Sequence, residues 1–280
     1  MSQNMLVFEK EERNRFPWGP QRWRYQLLQV LQSRSLRNAT GNIFISRYAK
    51  DYISDRLPEL QGIPSRIIPL GASTKFSRGP ERQYTVREKI DNGICFRLTY
   101  VSIVNYYKHQ WNVIEAVARL REEGYPVQLQ LVGPVVKGLR DRISAIVEDY
   151  DSFVEYSGVV PYQMIEEVYH NTDIFIFASS CENMPNVLVE AMSAGLPIAS
   201  SHYGPMPEIL RDGGRYFDPL QISEIADAVK FLLDNPSERS TLAQRAHEYA
   251  QQYTWQDCAV QTLTFLSEML KDGTKSTISK

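Results

Sequence analysis

Strands alternating with helices along most of the chain predict an α/β protein built on a doubly wound parallel sheet. Short apolar runs such as VQLQLV (Val127–Val132) recur between amphipathic helical stretches, as buried parallel strands should. The stretch from Asp173 to Ser201, DIFIFASSCENMPNVLVEAMSAGLPIASS, reads as strand, loop, helix and strand in sequence. At 280 residues the chain has room for one such domain and part of a second.

Residues 1–20 carry no clear period, with turn signals at Pro17 and Gly19–Pro20. From Gln21 to about Arg37 the pattern is helical, with Trp23, Leu27, Leu28, Leu31 and Leu36 forming an apolar stripe. Asn42–Ser46 reads as a strand, Arg47–Leu57 as a helix and Arg66–Pro69 as a short strand, half of a βαβ repeat. Residues 71–90 are polar and punctuated, so they read as an interdomain linker. The expected division is therefore 1–90 for a partial N-terminal domain with its linker, and 91–280 for a complete C-terminal domain.

In the C-terminal part, strands are expected at Ile94–Val101, Val127–Val132, Phe153–Tyr156, Asp173–Ala178, Leu196–Ser200 and Arg215–Phe217. Helices are expected at His109–Glu123, Gly138–Tyr150, Tyr162–His170, Asn186–Ala194, Met206–Arg211 and Ser223–Asp234, with two more closing the chain at Pro236–Gln252 and Trp255–Lys271. A polar tail follows Asp272.

A formal net charge of −2 and the lack of a reading module argue against nucleic-acid binding. Three scattered cysteines, Cys95, Cys181 and Cys258, suggest neither a disulfide framework nor a zinc site, which fits a reducing cytoplasm. No apolar run approaches the roughly 18 residues that span a bilayer, and Met1–Lys10 lacks the apolar core of a signal peptide.

Two carboxylates stand out in the 173–201 stretch. Glu182 leads into the helix whose first N–H groups, from Asn183 to Val187, are unpaired within it, and such donors make a phosphate site together with the helix dipole. Pro185 suits the first helical position. Glu190 lies inside that helix among Val187, Leu188, Val189, Ala191 and Met192, where a carboxylate must find a hydrogen-bond donor such as a ribose hydroxyl. On spacing alone, Glu182 as a cap and Glu190 as a solvated or salt-bridged side chain serve equally well.

The string E-N-M-P-N-V-L-V-E from Glu182 to Glu190 resembles the E-x7-E motif of retaining GT-B glycosyltransferases of the "glycosyl transferases group one" family. The flanking F-A-S-S-C and E-A-M-S-A-G-L-P-I-A-S-S are similar too, as are G-P-M-P-E at Gly204–Glu208 and Y-V-S-I-V with Lys108, then V-I-E-A-V and L-V-G. The likeness covers nearly all of Ile94–Leu270 and extends to Ile43–Gly71, the end of the family's N-terminal domain.

That resemblance implies a GT-B-like fold and a donor site. Glu182 would contact the transferred sugar, and Asn183, Met184, Pro185, Asn186 and Val187 would bring backbone groups to sugar and diphosphate. Glu190 would bind the ribose hydroxyls, and Lys108 would neutralise the departing diphosphate. The family pattern puts an arginine five residues before that lysine; here the residue is Ile103, so half of the cationic clamp is missing. No cofactor and no metal are expected beyond the nucleoside diphosphate sugar itself.

The first part of the N-terminal domain, with its glycine-rich loop and active-site histidine, is expected before Met1. His109, His170, His202 and His247 fall outside that part and read as surface or helix-end residues. A truncated chain, a split enzyme completed by a partner and a degenerate protein stay open as explanations. Between Lys10 and Lys50, nine basic residues face two acidic ones, interleaved with Phe16, Trp18, Trp23 and Tyr25. That mixture suits either a solvated basic helix face or a peripheral contact of residues 10–50 with an anionic membrane bearing lipid-linked acceptors.

The expected function is transfer of a hexose-type sugar from a nucleoside diphosphate sugar to a glycan or lipid-linked acceptor, with retention, in polysaccharide assembly. It would take place in the cytoplasm or at the inner face of the membrane. A nucleotide-sugar-binding half that needs an N-terminal partner chain is the alternative. A related epimerase or phosphorylase is a third reading.

Overall fold

The computed structural model describes residues 5–81 and 83–278; Ser279 and Lys280, the end of the polar tail, lie outside the described residues. The chain divides into two compact units. One holds the residues up to Ala72, Cys181–Asn186 and those from Tyr253 onward; the other holds Ser73–Ser180 and Val187–Gln252. This differs from a single cut at residue 90. Residues 73–90 belong to the larger unit, and the closing helix belongs to the smaller one.

The larger unit is built on six parallel strands: β3 (Phe96–Val101), β4 (Val127–Val132), β5 (Val154–Gly158), β6 (Ile174–Phe177), β7 (Ile198–Ser201) and β8 (Arg215–Phe217). Their spatial order is β5-β4-β3-β6-β7-β8, the doubly wound order of a dinucleotide-binding sheet. In β6, all four residues of Ile-Phe-Ile-Phe are fully buried, as expected of a strand covered on both faces. Pairing of Leu98 with Ile174 and Thr99 with Phe175 joins β3 to β6. The order reverses at that pair, so the crevice at the carboxyl ends of β3 and β6 is where a ligand is expected.

Helices α5 (Gln110–Glu122), α6 (Arg140–Asp149), α7 (Ile165–His170), α8 (Asn186–Ser193), α9 (Met206–Leu210), α10 (Ile222–Asp234) and α11 (Pro236–Ala250) follow the strands. Val113, Val117 and Leu120 of α5 are completely buried, as are Val229, Leu232 and Leu233 of α10. The stretch read as a linker is ordered: Val86–Asp91 forms α4, opened by a reciprocal capping box between Thr85 and Glu88. Two polar anchors fix it. Lys89 Nζ lies 2.9 and 3.0 Å from the carboxylate oxygens of Asp173, and Asp173 also accepts the Arg97 N–H at 2.8 Å. The fully buried Arg239 guanidinium donates to Gln83 Oε1, to the Tyr84 carbonyl and to the Leu232 carbonyl at the end of α10.

The smaller unit contains α1 (Lys10–Asn14), α2 (Pro20–Arg37), β1 (Asn42–Phe44), α3 (Arg47–Arg56), β2 (Ser65–Ile67) and α12 (Trp255–Ile278). β1 and β2 pair in parallel, Asn42 with Ser65 through Phe44 with Ile67. Ile68, Cys258 and Phe265 form one cluster of its core, with Ile43, Leu70 and Met269 packed against them. α12 continues past Lys271, the predicted end. The stripe on α2 is mostly open: Trp23, Leu27 and Leu31 are each more than half exposed, as is the neighbouring Val30, whereas Leu36 is buried. Among the described residues, no helix is long and apolar enough to cross a membrane.

Candidate donor site

The carboxyl ends of β3 and β6 are stitched together. After β3 the chain makes a 3-10 turn, Tyr106–Lys108, started by the Asn105 side chain, which accepts the Tyr106 N–H at 2.8 Å. Ser180, three residues beyond β6, donates its N–H to the Tyr107 carbonyl at 2.8 Å. His109 adopts a left-handed conformation, φ 50°, at the start of α5 and places Nε2 2.9 Å from the Ser180 hydroxyl. His109 is thus at a helix end but buried, not a surface residue.

Lys108 is also buried. Its ammonium lies 5.0 Å from the Phe177 ring and 5.3 Å from that of Tyr107, while its carbonyl accepts the Tyr100 hydroxyl at 2.8 Å. Ile103 stands in the same connection, its carbonyl accepting Gln110 Nε2 at 3.0 Å. The connection demands a glycine beside it. Gly133 follows β4 at φ 137°, and a Cβ there would come within 2.2 Å of the Ser102 carbonyl oxygen.

Glu190 projects from α8 toward a second set of partners in the larger unit. Its Oε2 accepts the Tyr169 hydroxyl at 2.8 Å. Burial raises its carboxyl above the usual range, against the Tyr169 hydrogen bond and the charge of Lys75, which both lower it. Tyr169 is fully buried, and its hydroxyl also reaches the Val187 carbonyl at 3.4 Å. Lys75 is held by the Tyr162 carbonyl at 3.1 Å and lies 3.7 Å from the Tyr162 ring centre. Glu190 is therefore neither fully solvated nor in a close ion pair. Tyr169, two elements before α8, and Lys75, much further back in the chain, carry no local signal that points to Glu190.

Cys181–Asn186 belongs with the smaller unit. Three of its residues are tethered there. Cys181 hydrogen-bonds the Glu9 carboxyl. The Ser46 hydroxyl, which caps α3 by accepting the Ala49 N–H at 3.1 Å, donates to Asn183 Oδ1 at 3.2 Å. The Leu70 N–H lies 3.0 Å from the Met184 sulfur. Glu182 is half-buried between two buried neighbours, and Pro185 is buried. Asn186 Oδ1, at the first residue of α8, is buried without a hydrogen-bond partner, an orphan acceptor that a ligand hydroxyl could satisfy.

Of the other histidines, His170 ends α7, His247 Nδ1 lies 3.0 Å from the Ser193 carbonyl, and His202 Nδ1 lies 3.0 Å from that of Phe217. Not all of the basic, aromatic N-terminal segment is free for a surface. Phe16 is 2 % exposed against Tyr25, and Arg13 is buried, with its guanidinium bonded to the Val7 carbonyl and Gln29. Trp18 and Trp23 are exposed. Among the described residues, no group of three or more His, Cys, Asp or Glu side chains is arranged to hold a metal ion.

The family model described as glycosyl transferases group 1 matches residues 95–252, which run from the start of β3 to just beyond α11. The chain belongs to that family. It is 28% identical over 217 residues to an MMP alpha-(1->4)-mannosyltransferase of Mycolicibacterium hassiacum, covering 75% of this chain and 50% of that one. Among solved structures, the sucrose-phosphate synthase of Thermosynechococcus elongatus superposes with a TM-score of 0.73 at 21% identity, covering 87% of this chain and 61% of that one. Anabaena HepE, crystallised in complex with UDP, also gives 0.73, at 20% identity with 86% and 67% covered. These likenesses show a GT-B fold. The chain spans about half the length of the curated relatives that it matches over most of its residues.

Proposed function

We propose that this family member transfers a hexose-type sugar from a nucleoside diphosphate sugar to a glycan or lipid-linked acceptor, with retention of configuration and without a metal ion. The observation that carries the reading is the α8 entrance inside the family-matched region: Glu182, a loop tied at three of its residues, an orphan acceptor on Asn186, and Glu190 held in a hydrogen bond. Glu182 contacts the sugar near its reacting carbon. Backbone N–H groups of Asn183, Met184, Asn186 and Val187 with the side of Pro185 line the sugar and diphosphate, where the helix dipole favours negative charge. Lys108 offsets the charge that builds on the leaving diphosphate. Glu190, oriented by Tyr169, takes the ribose hydroxyls.

Relatives named as mannosyltransferases, one of them for O-antigen chains, support a hexose donor and a role in polysaccharide assembly. The exposed Trp18 and Trp23 among arginines support a peripheral contact at the inner face of a membrane. A second reading rests on the open apolar stripe of α2 and the two-stranded parallel sheet beside it. Such a sheet is ordinarily buried on both faces, so the chain would bind the nucleotide sugar and act only with a partner chain.

Purified protein incubated with UDP- and GDP-sugars separates the readings. Binding with slow donor hydrolysis, both reduced by Glu182→Ala chiefly in rate, supports the transferase. Binding without turnover, restored by a candidate partner, supports the second reading. Absence of binding to every nucleoside diphosphate overturns both.

A further inference from the structure

Glu9 lies in a stretch without sequence pattern, yet it is 6 % exposed and sits at the head of the site loop within the smaller unit. Its carboxyl accepts the Tyr48 hydroxyl of α3 at 3.0 Å and a hydrogen bond from the Cys181 thiol, itself 4 % exposed. Tyr48 also packs against Tyr52, ring centres 5.6 Å apart. Of the three loop tethers, those through Ser46 and Leu70 are neutral. The one through Glu9 is a carboxyl, and it holds the residue immediately before Glu182.

We propose that Glu9 is a positioning residue for Glu182: its carboxylate, by accepting from both Tyr48 and Cys181, holds the start of the Cys181–Asn186 loop in place, and protonation releases that hold. The inference rests on the assignment of Glu182 to the transferred sugar. The ionised carboxylate offers lone pairs to both donors at once. The neutral acid must present one O–H to a neighbour, which leaves one donor poorly served. The groups acting on Glu9 are Glu12 from α1, which Glu9 precedes, Tyr48 and Tyr52 from α3, and Cys181 and Glu182 from the loop. Burial chiefly, helped by the charges of Glu12 and Glu182, lifts the Glu9 carboxyl to about 7. The tether therefore changes state across neutral pH.

The test uses the full chain as wild type, Glu9→Gln, Glu9→Ala and Tyr48→Phe. Alkylation of each cysteine by iodoacetamide is mapped by peptide mass spectrometry, with buried Cys258 of the same unit as the internal control. Loss of one hydrogen bond to a charged group corresponds to about tenfold in an equilibrium, so Cys181 should label about tenfold faster in Glu9→Ala and Tyr48→Phe while Cys258 keeps its rate. In turnover of a UDP- or GDP-sugar, wild type should show a kcat limb near pH 7 that Glu9→Gln lacks, with KM for the donor unchanged. Unaltered Cys181 labelling, labelling of Cys181 and Cys258 that rises in parallel, or a limb that persists in Glu9→Gln would each overturn the proposal. If wild type turns over no donor, the transferase reading fails by itself, and the labelling still decides whether Glu9 holds the loop.

Discussion

Replacing Glu9 with glutamine should stabilise the protein at pH 8 and leave it nearly unchanged at pH 5. The carboxyl is raised from an ordinary value of 4.5 to about 7, by burial first, with Glu12 and Glu182 adding to it and the Tyr48 and Cys181 hydrogen bonds opposing. Two and a half pH units at about 1.4 kcal/mol each make ionisation in the folded chain cost on the order of 3 kcal/mol. The folded state binds the proton more tightly than the unfolded one. This contribution to stability is therefore complete below about pH 4.5 and is lost as pH rises through 7. Glutamine carries no charge at any pH and keeps an acceptor for Tyr48. The gap between variant and wild type should open by about 3 kcal/mol between pH 5 and pH 8, which is roughly 12–24 °C in melting temperature for a unit of about 100 residues. Calorimetric scans of both proteins at constant ionic strength measure it. Parallel pH curves would refute the reasoning, because they would mean that Glu9 ionises in the folded chain as easily as in the unfolded one.

Glu190→Ala should weaken UDP or GDP binding by about 1–3 kcal/mol, the scale of hydrogen bonds to a charged group, as read by titration calorimetry; unchanged affinity removes Glu190 from the site. Asp173→Asn should destabilise the larger unit by about 3 kcal/mol, since it strands the nearly buried Lys89 ammonium; a melting temperature within 2 °C of wild type on the same scale would show the pair to be replaceable. Gly133→Ala should cost more than about 1 kcal/mol, because it combines a left-handed backbone with a clash against the Ser102 carbonyl. It should weaken nucleotide binding in parallel if the loop after β3 is part of the site.

Wherever burial imposes a period, the elements were legible in the sequence. Val127–Val132 and Arg215–Phe217 begin and end where their residues predict, and most helix ends fall within two residues. The misses share a cause. α1 and α4 are five and six residues long, too short for a helical period to register, although the Thr85-x-x-Glu88 capping box that starts α4 is written in the chain. At the candidate site, Glu190 was visible because a carboxylate within an apolar helix violates its surroundings, and Glu182 because it stands in the loop that opens that helix and begins the E-x7-E string. Glu9, Lys75 and Tyr169 violate nothing locally. They join the candidate site only through tertiary packing across 172 and 115 positions in the first two cases, and through one hydroxyl at 2.8 Å in the third.

The two carboxylates of the E-x7-E string, eight residues apart, answer to different parts of the molecule. Glu182 sits in a loop whose side-chain tethers come from Glu9, Ser46 and Leu70 of the smaller unit, whereas Glu190 is set by Tyr169 and Lys75 of the larger one. Keeping a buried carboxyl at Glu9 costs stability at neutral pH, and a neutral side chain would avoid that cost. A destabilising group beside the loop proposed to hold the transferred sugar is what a requirement for function over stability produces. Substitutions at Glu9 should accordingly move the rate assigned to Glu182 and spare the nucleotide affinity assigned to Glu190, and substitutions at Tyr169 should do the reverse. Equal effects on both quantities from either residue would mean that the nine-residue string acts as one rigid piece, with no division of labour between its two ends.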